Sequence, residues 1–156
     1  GGIWNFICSH AGKARSVLWR TPSDDTTCHR LETAPESVQA KPFVMGRIVD
    51  AQKVLELLVY SCANELSIRI QVEDALAPWN HGIFHVGSEK GAAKEEKSSV
   101  APDACLTIHT LTALCMGSLD PHQAAAAGKL KCHDTSTVHK LACLFSPQNN
   151  YINDYF

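Results

Sequence analysis

Along residues 65–86 apolar and polar side chains alternate, with Leu66, Ile68, Ile70 and Val72 interleaved with Ser67, Arg69, Gln71 and Glu73. A period of two puts four aliphatic side chains on one face of a strand and polar ones on the other, so the pattern describes a sheet with one dry side. Residues 74–82 break the alternation at Pro78, Asn80 and Gly82, and Ile83–Val86 resumes an extended run, which predicts an antiparallel return. Residues 103–110 alternate again, with Ala104, Leu106 and Ile108 on one face, and predict a further strand. The charged run 87–99 between them, with Gly91 at its centre, suits a solvated turn and an edge strand, because Lys and Glu on an edge discourage stray pairing.

A dry sheet face needs a cover, and the rest of the chain supplies helical stripes. Ala51, Val54, Leu55 and Leu58 recur one turn apart over residues 51–60, with Asp50 placed as N-cap. Leu111, Leu114 and Cys115 form a second stripe that stops at Gly117. Asp120-Pro121 joins a good N-cap to a proline at the first helical position; Ala124–Ala127 follows, and Gly128 stands where a helix stop favours a left-handed residue. Val138, Leu141, Ala142 and Phe145 make a last stripe, opened by Asp134 and Thr135 and closed by Ser146-Pro147. The first forty residues are weaker. They hold an apolar segment at Ile3–Cys8 without a helix-start signal, a short strand expected at Ala14–Arg20, and a turn-rich stretch at Thr21–Thr27 with Pro22 and Asp24-Asp25. They cannot make a core alone. Strands grouped together, with helices at both ends, predict an α+β fold with the helices on one face of the sheet.

Length and charge narrow the partners. At 156 residues and 17.0 kDa the chain has room for one domain with a real core, or one domain and a piece of another. The formal charge is −2 with Lys and Arg scattered, so no basic stripe points to nucleic acid. No apolar run approaches the roughly 20 residues of a membrane span, and no signal peptide opens the chain, so a cytoplasmic protein without a membrane partner is expected.

The chemistry-bearing residues are mostly read as structural. Cys8, Cys28, Cys62, Cys105, Cys115, Cys132 and Cys143 are odd in number and contain no C-x-x-C pair, which suggests reduced thiols acting as small core residues. His81 and His85 are four apart in a strand-like run, separated by ~13 Å and too far to share an ion. His109, His122, His133 and His139 have no carboxylates at ligand spacing, so no metal site is expected. Trp79 and Phe84 suit core filling better than the lining of a ligand tunnel, and Asp24-Asp25 suits a solvated turn better than a cation-facing site.

Several segments together resemble a known family: FVMGRIVD before a helix, the strand ELSIRIQVED, the loop Ala77-Pro78-Trp79-Asn80-His81-Gly82, residues 102–130 (PDACLTIHTLTALCMGSLDPHQAAAAGKL) and the ending Asn153-Asp154-Tyr155-Phe156. They are similar to the C-terminal domain of Eis-type (enhanced intracellular survival) N-acetyltransferases. That resemblance implies a sterol carrier protein-like fold over residues 42–156, a mostly antiparallel sheet with helices on one face. Residues 1–41 would be the remnant of a preceding acetyltransferase-type domain, to which Val17–Arg20 and Pro22–Asp25 are similar.

In this family acetyl passes from acetyl-CoA to an amine, and the resemblance makes the chain-terminal carboxylate, here that of Phe156, the general base. It places Asp154 and Tyr155 beside the substrate and takes the general acid from a tyrosine of the first domain. It also implies a homo-oligomer, hexameric in the family. An ammonium must lose a proton before attacking a thioester, and an α-carboxylate of intrinsic pKa ~3.5 becomes a useful base when desolvation raises it. The chain shows no glycine-rich turn feeding a helix that would hold pyrophosphate, so acetyl-CoA is expected outside it and activity of this chain alone is not. Two other roles suit the resemblance: a lipid-carrying module with an apolar tunnel, and a structural oligomerisation domain. The small residues Ala124–Ala127 favour a filled core over a tunnel.

Overall fold

The computed structural model describes all residues except 1, 31–34, 36, 42–43, 59–65, 88–90, 96–99 and 152–156. The chain divides into two compact units, Gly1–Val38 and Gln39–Phe156. In the first, the apolar start forms helix α1 (Gly2–Ser9). Trp4 lies with its ring centroid 6.2 Å from that of Trp19. Ala14–Arg20 is not the short strand its residues suggest; it is neither helix nor strand, and Leu18 is 87% exposed. A lone extended segment without a ladder partner gains nothing from its β-propensity. The Asp24-Asp25 stretch is a turn in which the Asp25 carboxylate accepts from Thr21 Oγ1 and, at 2.8 Å, from the Thr27 amide.

The second unit begins its regular structure with helix α2 (Ala51–Leu57), where the Asp50 side chain accepts from the Lys53 amide as an N-cap. Strand β1 (Ser67–Glu73) alternates as its sequence dictates: Ile68, Ile70 and Val72 are buried. After the turn at Pro78–Asn80, β2 (Gly82–Gly87) returns antiparallel, pairing Ile68 with Val86 and Ile70 with Phe84. Strand β3 (Gly91–Glu95) pairs antiparallel with β2 and forms one edge of the sheet.

Strand β4 (Ala104–Thr107) lies on the other side of β1 and runs parallel to it, pairing Ile70 with Ala104 and Val72 with Leu106. The sheet order is β3-β2-β1-β4-β5, where β5 (Leu130–Cys132) pairs antiparallel with β4. The sheet is therefore mixed, with a parallel pair at its centre rather than antiparallel pairing throughout.

The predicted strand over 103–110 ends early. Thr107 accepts from the Thr110 amide and caps helix α3 (Ile108–Cys115), so Ile108 keeps its buried place but on a helix. Helix α4 (Pro121–Ala126) carries a complete capping box between Asp120 and Gln123, and helix α5 (Thr135–Leu144) is capped by Asp134, which accepts from the Thr137 amide. Gly117 (φ +65°) and Gly128 (φ +69°) stop α3 and α4. Ser118 N donates to Ala113 O and Lys129 N to Ala124 O, the wrap-around bonds of a helix end closed through a left-handed residue.

One buried cluster joins the aliphatic face of the sheet to the helices: Ile68, Ile70, Phe84 and Leu106 share it with Leu55 of α2, Leu111 and Leu114 of α3, Ala124 of α4 and Leu141 of α5. The opposite face, with Arg69, Gln71, His85 and Cys105, remains partly exposed.

Candidate functional site

Two stretches of chain meet at the end of α3. The incoming one, leading to α2, is held where the Ile48 amide donates to Thr112 Oγ1 at 3.2 Å, and a Cβ placed on Gly46 would lie 2.4 Å from the Met116 methyl carbon. The outgoing one follows α5. Gln148 N donates to Gly117 O at 3.3 Å, and Asn150 Nδ2 donates to Met116 O. A Cβ on Gly117 would stand 2.2 Å from Gln148 N, so both the positive φ and the crossing chain require glycine there. The described residues end at Tyr151, so Asp154, Tyr155 and Phe156 lie outside them. What the structure gives is the point from which that tail departs: Met116 and Gly117, beside Gly46.

A second constellation orders the loop between β1 and β2. The buried Asp74 carboxylate accepts from Arg47 Nη2 (2.7 and 2.9 Å), the Leu76 and Ala77 amides (2.9 and 3.1 Å) and Asn80 Nδ2 (3.0 Å). The Asn80 amide, then the two backbone donors and the Arg47 guanidinium, hold the carboxyl well below the usual carboxylate range, against the opposing effect of burial. Asn80 Oδ1 in turn accepts from the Ala51 amide at 2.8 Å, satisfying one of the orphan donors in the first turn of α2. Val49 O accepts from both Trp79 Nε1 (2.8 Å) and Asn80 Nδ2 (3.0 Å). This knot ties the incoming segment to the sheet, and the pairings that reach that segment span 27 to 31 residues of sequence. The signal for it in the sequence is Arg47, a charge set among the uncharged residues Val44–Gly46 and Ile48–Val49.

The aromatic pair separates. Phe84 is fully buried in the core cluster, while Trp79 is 62% exposed with its indole N–H fixed. A depression of about 460 Å³ is bordered by Glu73 of β1, Cys105 and Thr107 of β4, His109 of α3, and Lys129 and Lys131. His85 Nε2 lies 2.6 Å from Ser67 Oγ on the neighbouring strand. The rings of His122 and His139 are 4.9 Å apart, a contact between α4 and α5 that spacing in the sequence does not disclose. Cys8, Cys28, Cys105, Cys115, Cys132 and Cys143 are free thiols, and Cys62 lies outside the described residues. Burial pushes the Cys115 thiol up to about 12 and, with the nearby Asp134 and Cys105, raises Cys132. Among the described residues no helix is long and apolar enough to cross a membrane.

The comparisons with known proteins agree with this architecture. A family model described as the sterol carrier protein domain matches residues 51–153. An uncharacterized N-acetyltransferase of Streptomyces coelicolor is 25% identical over 133 residues, covering 83% of this chain but 31% of its own length, so the chain spans about a third of that curated relative. The structure of a probable N-acyltransferase from Enterococcus faecalis superposes with a TM-score of 0.81 at 25% identity, over 99% of this chain and 40% of the other. Eis1 from Mycobacterium abscessus shares the fold, with a TM-score of 0.59 at 23% identity over 68% of this chain and 26% of its own. On these grounds the chain belongs to the sterol carrier protein domain family, and its domain is of the kind that Eis-type N-acetyltransferases contain.

Proposed function

We propose that this chain is the C-terminal part of an acetyl-CoA-dependent amine N-acetyltransferase, with the terminal carboxylate of Phe156 as general base and Asp154 and Tyr155 beside the amine. The observation that carries the reading is the meeting of incoming and outgoing chain at Met116. A tail anchored there leaves the domain beside the segment that leads into it. Five residues, the number that follow Tyr151, can span at most about 17 Å.

In that module the carboxylate takes a proton from the substrate ammonium, and the neutral amine attacks the acetyl thioester. The C–N bond forms, the C–S bond breaks, the thiolate of coenzyme A leaves with a proton from the general acid, and the acid's conjugate base takes the remaining extra proton from the nitrogen as the amide forms. Acetyl-CoA binds outside this chain. The relatives' additional length is room for such a module, and their N-acetyltransferase and N-acyltransferase descriptions support the reaction class. The carrier reading draws less support, because Phe84, Ile70 and Leu111 fill the space over the dry face. In the cytoplasm, a homo-oligomer would bring several such tails together without altering this chemistry.

The test is made in the whole protein. Deleting Phe156, or amidating its carboxylate, is expected to lower kcat by about 10²–10⁴-fold, the usual contribution of a general base, with KM for acetyl-CoA little changed. Undiminished turnover in both forms overturns the proposal.

A further inference from the structure

We infer that His122 and His139 form a two-histidine site for a divalent transition-metal ion, clipping α4 to α5. The two residues are seventeen apart in sequence, yet their ring centroids lie 4.9 Å apart at an interplanar angle of 64°. Both are exposed, and beyond the contact with each other neither ring has a partner among the described residues. Their positions are fixed by the backbone beneath them. His122 follows Pro121, which is buried, and its amide donates to Asp120 Oδ1 at 2.7 Å. His139 lies between Val138 and Leu141, which anchor α5 in the domain.

The spacing matches chelation. A ring centroid sits about 1.1 Å from its coordinating nitrogen, and a metal–nitrogen bond is about 2.0–2.1 Å, so each centroid lies about 3.2 Å from a bound ion. Two ligands at about 90–110° around that ion then have centroids about 4.5–5.2 Å apart, the range in which the observed separation falls. Both rings are exposed, so their side-chain torsions are open to the rotation that would aim one nitrogen of each at a shared ion. Imidazole donors suit Zn²⁺, Ni²⁺ and Cu²⁺ over Mg²⁺ or Ca²⁺, and water completes the shell. The nearby carboxylates are already engaged: Asp120 accepts from the His122 and Gln123 amides, and Asp134 from Thr137 N and Ser136 Oγ. No group of three ligands forms among the described residues, so the site is an open bidentate one.

The test is titration of the untagged chain with Zn²⁺, followed by histidine ring resonances and calorimetry. One equivalent is expected to shift the His122 and His139 signals together. His122→Asn or His139→Asn is expected to weaken binding at least about tenfold, the loss that removing even an outer-shell partner of a metal ligand brings, whereas His85→Asn leaves it intact. Both rings are exposed, so circular dichroism should be unchanged in each variant. Binding that survives both substitutions, or two signals that titrate independently of each other, overturns the inference.

Discussion

Without Asp74 the Leu76 and Ala77 amides, Asn80 Nδ2 and the Arg47 guanidinium would lose a common acceptor inside the fold. Asp74→Ala is expected to lower the thermal midpoint by several degrees, since stranded buried donors rank among the costlier single-site changes. Acid should act in the same direction. The folded carboxyl is held below its unfolded value of about 3.9, so its contribution is present above that pH and is lost as pH falls from about 4 through the depressed folded value. A pH series of urea midpoints, compared between the parent chain and Asp74→Ala, checks this: the gap should be widest near neutrality and shrink below about pH 4, and a constant gap contradicts it. Asp134, lowered chiefly by the Thr137 amide, adds an effect of the same sign that both proteins share.

At the scale of elements, the caps show what sequence discloses well. Asp50, Asp120 and Asp134 each stand one residue before a helix and accept from its first turn, because a short polar acceptor next to an apolar stripe is a local signal. Strand β5 escaped such reading. Leu130–Cys132 is three residues long and owes its form to Cys105 and Leu106 of β4 rather than to any period of its own. The junction at Thr107 escaped for a related reason: the same alternation continues from strand to helix, and the turn is decided by a hydroxyl reaching the Thr110 amide.

Gly117 couples element to tail. Gly117→Ala forces a left-handed backbone on a residue with a Cβ and drives that carbon into Gln148, which should cost more than about 1 kcal/mol by urea denaturation. If Gln148–Tyr151 loses its anchor, turnover of the whole protein should fall along with stability.

For the molecule as a whole, the α+β class and the single dry face were legible because alternation of four aliphatic residues is hard to satisfy otherwise. The parallel direction of β4 was not, since it is set by which side of β1 the strand pairs with and leaves no local mark in residues 104–107. The candidate site at Asp154–Phe156 rests on likeness to a family and lies outside the described residues. Its anchor at Met116 was not legible, because it joins residues about 70 positions before the bend to others about 30 after it. Phe84 is the largest of the fully buried side chains among the described residues, so Phe84→Ala tests the filled core: about 3–5 kcal/mol should be lost, with an unchanged denaturant slope. Against a total of about 5–15 kcal/mol, that loss should leave a population of unfolded chain detectable in mild urea.

The central parallel pair also sets an order in time. Strands β1, β2 and β3 are sequential neighbours and can find one another across short turns, whereas β4 must return past two intervening strands to reach β1. Because distant closure is entropically slower, the meander is expected to assemble first and the docking of Ala104–Thr107, with α3 directly behind it, to set the folding rate, so substitutions in β4 should slow refolding more than those in β2.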